Sequence, residues 1–150
     1  MGKLKPKNQI NKIDGKANTS QGCCSEQCPW FSFKSLTHND RYNLSKLAPG
    51  TEREQTMVGL YDRLHKLSCE SWLHWSQIRK SIGLETMTYN DVHFDAAPGE
   101  VIAKDTTIYV FRFDTHLGTN KGRILGYKKE PCATLHIIGF DIDFSAYNHG

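Results

Sequence analysis

The last third of the chain carries the pattern that most restricts its fold. Thr107–Asp114, Gly122–Lys128 and Ala133–Asp141 are rich in β-branched and aromatic residues, and Gly, Asn and Pro separate them, which is the composition of strands joined by turns. Three antiparallel strands are expected. Strand side chains alternate, so Tyr109, Phe111 and Phe113 share one face while Ile108, Val110 and Arg112 share the other. The first face reads as core; the second carries a cation.

The stretches upstream supply what covers that core. Trp30–Leu36 alternates large apolar with polar residues, placing Trp30 with Ser32 and Lys34 and Phe31 with Phe33, as a first strand would. Thr51 and Glu54 have the spacing of a capping box, in which each satisfies the other's free backbone donor and a helix begins. Met57, Leu60, Tyr61, Leu64 and Leu67 recur at helical spacing and read as its buried stripe. Ser68 is suited to cap a second helix, with Cys69, Trp72, Trp75, Ile78 and Ile82 on one face and Gly83 as its stop. Two antiparallel helices with a tight connection follow. Leu84–Tyr89 is compatible with a short strand, and Asn90–Gly99 reads as a loop. The expected fold is α+β: an N-terminal strand, a two-helix hairpin and a three-stranded antiparallel meander, forming one sheet with helices on one face.

Length and charge set the organisation around that fold. At 150 residues and 38% apolar content the chain can bury one core, so residues 23 to 150 read as a single domain. Residues 1 to 22 hold five lysines against Asp14 and few hydrophobes, too little apolar surface to offset ordering entropy; a disordered basic tail is expected. Of 19 basic and 16 acidic residues, 14 and 15 lie beyond that tail. A near-neutral domain has no overall field to gather phosphates, so a nucleic-acid role must rest on a local patch or on the tail.

No run of about 18 apolar residues and no secretion signal is present, so the expectation is a soluble cytoplasmic protein without a membrane partner. Five cysteines, an odd number, argue for reduced thiols rather than a disulfide framework. Cys23, Cys24 and Cys28 lack the second paired knuckle of a structural zinc site, and His93 with Asp95 lacks a third ligand; no metal and no cofactor are expected. Phosphate-loop, dinucleotide, nucleophile-elbow and zincin motifs are absent.

The order strand, helix, helix, three strands resembles the RelE/ParE-like toxin superfamily, small proteins controlled by antitoxins. Arg112 closing Tyr109–Arg112, followed by Arg123 in Gly122–Tyr127, resembles that family's paired arginine strands. Phe31–Leu36 is also similar to the opening of small bacterial mobile-element proteins, and the likeness spans roughly residues 30 to 149. The resemblance implies metal-independent RNA cleavage on an open sheet face, with RNA or the ribosome as target and an antitoxin as partner. Arg112 and Arg123 would hold the scissile phosphate, Tyr127 and His136 would move protons, and Lys121, Tyr147 and His149 would bind substrate. His116–Lys121 would lengthen the first hairpin. Histidine suits proton transfer because its ordinary pKa lies near neutrality.

Each residue also has a reading without chemistry. Arg112 and Arg123 would then be cross-strand partners of Asp141 or Asp143, and Tyr127 and His136 sheet packing residues. The competing function is a mobile-element protein that binds and inhibits a host defence or nucleic-acid machine.

Overall fold

The computed structural model describes residues 27–80, 82–129 and 133–149. The expected tail, Cys23, Cys24 and Cys132 lie outside these residues. Elements run β1 Trp30–Ser32, α1 Thr51–Cys69, α2 Trp72–Gln77, β2 Leu84–Thr88, β3 Thr107–Thr115, β4 Gly118–Lys128 and β5 Thr134–Asp141. The class is α+β, as expected. The sheet has five strands in the order β1-β5-β4-β3-β2, antiparallel except for β1 beside β5.

Both faces of this sheet are buried, which the alternation in β3 already permits. Phe111, Phe113, Ile124, Leu135 and Ile137 pack under Leu60, Leu67, Trp72 and Trp75 of the helices. Ile108, Val110, Leu125 and Ile138 pack on the opposite side against Tyr42, Phe94, Ala146 and Tyr147. The expected open face is therefore largely roofed by loops. Tyr42 stacks on Phe94 at 4.3 Å, and the Ala97 amide donates to the Ser35 carbonyl at 3.0 Å, so loops from both halves of the chain join into one layer. A register shift opposite Leu125 and Gly126 bulges β5. The bulge turns Gly139 toward Phe94, where a Cβ would collide with the ring.

The helical layer is slighter than a hairpin. α1 spans 19 residues but α2 only 6. The Thr51–Glu54 capping box does not form: Thr51 is already helical and Gly50, at φ 99°, precedes it without a side-chain cap. Ser71, not Ser68, caps α2 by accepting from the His74 amide; the Ser68 hydroxyl donates to the His65 carbonyl instead. Of the two stripes, Met57, Tyr61, Cys69 and Ile82 remain exposed, because α1 rests on β3 along a narrow line.

That line is set by close approach. A Cβ on Gly59 would collide with the Asp114 carbonyl, and the buried Thr56 hydroxyl beside it accepts from the His116 amide at 3.1 Å. His116–Lys121 forms the turn of this hairpin and the start of β4: Thr115 pairs with Gly118 and β4 begins there. Gly59→Ala is expected to cost about 1–3 kcal/mol by forcing helix and strand apart. Thermal melting checks it; an unchanged midpoint would contradict the contact. Among the described residues no helix is long and apolar enough to cross a membrane.

Candidate functional site

The seven residues singled out in the sequence fall into two groups on the loop-covered face. Tyr127 lies four positions beyond Arg123 on β4, about 13 Å along the strand, and this separates the expected phosphate ligands from the expected proton carriers.

The first group is enclosed. Arg112 and Arg123 are cross-strand partners, and Arg123 is in turn opposite Asp141 on β5. Arg123 is 5% exposed, and its Nη1 donates to the Asn120 and Gly122 carbonyls at 2.7 and 3.0 Å. Asp141 is fully buried; it accepts from the Asp143, Ser145 and Ala146 amides at 3.1–3.3 Å and faces His149 Nε2 at 3.3 Å. These bonds fold the C-terminal residues over the sheet. Phe144, at φ 59°, sits 5.1 Å from the Arg123 guanidinium, and Tyr147 packs on His149 at 4.0 Å. Burial pushes the Tyr147 phenol upward; Glu85 adds to the rise and Arg123 opposes it. Arg112 is half-buried, 3.8 Å from Glu85. A polymer cannot reach Arg123 here, and acids face both arginines. Lys121 is exposed two positions before Arg123, at this same end of β4.

In the second group Tyr127 is buried and His136 is partly exposed, on the β1 side of the sheet. Tyr127 and His136 are cross-strand partners, and their rings stack at 5.2 Å. The Tyr127 hydroxyl donates to Glu100 Oε2 at 3.0 Å and lies 3.3 Å from Ser35 Oγ, which fixes the ring on which the imidazole rests. The hydrogen bond from Tyr127 chiefly holds the Glu100 carboxyl below its ordinary range, assisted by Lys129 and Lys34. His136 is shifted downward, first by burial, then by Lys129 and Lys34, with Glu100 opposing. Burial and cations both disfavour the imidazolium and so favour the neutral ring. Lys129 Nζ stands 5.7 Å from the Tyr127 ring and 3.9 Å from Glu100.

Strand pairing carries this strip to the sheet edge. Ser32 pairs with His136 and Trp30 with Thr134; paired positions share a face, so Trp30, Ser32 and His136 look the same way. Trp30 is 70% exposed. Glu100, Lys34, Lys129, Ser35 and Trp30 were not among the expected site residues. The alternation of Trp30, Ser32 and Lys34 was visible in the sequence, whereas the pairing of β1 with β5 had no local signal. Comparison with protein-family models, curated proteins and solved structures gave no match.

Proposed function

We propose that the protein is a toxin-like endoribonuclease that cleaves RNA without a metal ion on the strip of Tyr127, His136, Lys34 and Lys129, and that an antitoxin protein restrains it. The observation that carries this reading is His136: a partly exposed imidazole, stacked on an anchored tyrosine, whose pKa is lowered by burial and by Lys129 and Lys34. A neutral imidazole accepts the 2′-hydroxyl proton as that oxygen attacks phosphorus. The bond to the 5′-oxygen breaks, a 2′,3′-cyclic phosphate forms, and the leaving oxygen takes a proton from solvent. Lys34 and Lys129 stabilise the charge that builds on the phosphorane. Tyr127 and Glu100 are positioning residues. In this reading Arg112, Arg123, Tyr147 and His149 hold the fold together and do not touch RNA.

Induced expression of the chain should arrest growth and shorten transcripts, and His136→Gln should abolish both. Base catalysis needs the unprotonated ring, so a downward-shifted His136 moves the acid limb of the rate profile below the ordinary value of about 6.5. The acid limb is therefore expected at lower pH than an unperturbed histidine would give. A profile already halved near pH 7 would remove His136 as the base.

A second reading, a binding protein that inhibits a host machine, is favoured by a groove of about 340 Å³ between α1 and the segment after β1. Phe33, Leu44, Met57, Tyr61 and Phe140 line it, and Met57 and Tyr61 are exposed. Under that reading expression could arrest growth, but purified RNA would stay intact.

A further inference from the structure

We infer that Trp30 is a stacking platform for an unpaired base and that the ligand of this edge is single-stranded RNA; the inference rests on the proposed RNA-cleaving strip and names its substrate class. Three observations converge. The Trp30 side chain is 70% exposed although Trp72 and Trp75 are 3% and 7% exposed, so the fold buries its other indoles and leaves this one out. It lies on β1, an edge strand, and among the described residues no strand pairs with its outer side. It faces the same way as His136 and is offset from Ser32, the partner of His136, by two residues, about 7 Å of extended chain.

Charge decides between ligands for such a surface. Lys34 and Lys129 are exposed at the strip and act together on His136 and Glu100. An aromatic plane beside two cations suits a chain that alternates bases with phosphates, and base stacking tolerates any sequence because every base has a π-face. A duplex hides its base faces within its own stack, so it offers the indole nothing. The strip therefore selects unpaired RNA by stacking at Trp30 and places the adjoining phosphate at His136.

The test uses the full chain and a labelled RNA 12-mer carrying 2′-O-methyl groups throughout, so that binding is read without cleavage. Single-stranded probe should quench the indole emission of the wild type, and the quench should vanish in Trp30→Ala. Anisotropy should show Trp30→Ala binding roughly 10- to 100-fold more weakly than wild type. Trp30→Phe should recover most of that loss, and a hairpin duplex of the same sequence should bind no better than Trp30→Ala binds the single strand. Melting curves of the variants should overlay the wild type, since an exposed ring contributes little to stability. Equal affinity of Trp30→Ala and wild type for the single strand overturns the platform, and so does a wild type that does not bind the probe. A wild type that binds through Trp30 but leaves unmodified RNA intact overturns the cleavage reading alone. A wild type that cleaves while Trp30→Ala binds and cleaves equally well overturns the platform alone.

Discussion

Replacement of His136 by alanine is expected to leave the protein folded and to lower RNA cleavage by roughly 10²- to 10⁴-fold, the usual contribution of a positioned general base. The separation of the two outcomes comes from its setting. His136 is partly exposed and stacks on Tyr127, so its removal leaves a space open to solvent rather than a closed cavity. The proton acceptor is nonetheless gone. Tyr127→Phe should do far less, because the stack survives and only the hydroxyl's bonds to Glu100 and Ser35 are lost. Single-turnover rates on a fluorescent oligonucleotide, with circular dichroism of each variant, separate the two. If His136→Ala cleaves at the wild-type rate, the base lies elsewhere.

Arg123→Ala and Asp141→Ala should behave in the opposite way and destabilise the fold, by about 1–3 kcal/mol for each buried backbone group left without its hydrogen-bond partner. The roles are unequal. Asp141 accepts three backbone amides and anchors the C-terminal layer, so its loss also leaves those donors without a partner. Arg123 closes the hairpin through the Asn120 and Gly122 carbonyls. Its Nε is buried without a hydrogen bond, a cost already present in the wild type. Melting midpoints lowered by roughly 10 °C or more are expected. Variants that melt with the wild type but fail to cleave RNA would return Arg123 to the substrate site.

The opposite fates of these residues show what local pattern conveys. The three C-terminal strands were legible because β-branched and aromatic runs need only their own alternation to be recognised, and Phe111 and Ile124 do face the helices. Alternation also put Arg112 and Arg123 on the other face. It could not disclose that residues 141 to 149 fold back over that face, since the turn depends on one buried carboxylate reading three amides rather than on a periodic signal. The failed caps have a similar origin. Thr51 and Ser68 fit the spacing rules, but α1 starts after Gly50 without a side-chain cap, the Ser68 hydroxyl turns back to the His65 carbonyl, and Ser71 caps α2. Parallel pairing of a three-residue β1 with β5 joins residues more than a hundred positions apart. That pairing is what brings Trp30 and Lys34 to His136, so the candidate site was visible only as separate parts.

The most direct measurement is the fate of a defined RNA incubated with purified protein in excess chelator, with the new 3′ ends identified by mass spectrometry. The account predicts 2′,3′-cyclic phosphate ends that form without metal, depend on His136, and disappear when the nucleotide 5′ of the cut is 2′-deoxy. RNA that stays intact with folded wild-type protein, or cuts that persist in His136→Ala, would contradict it.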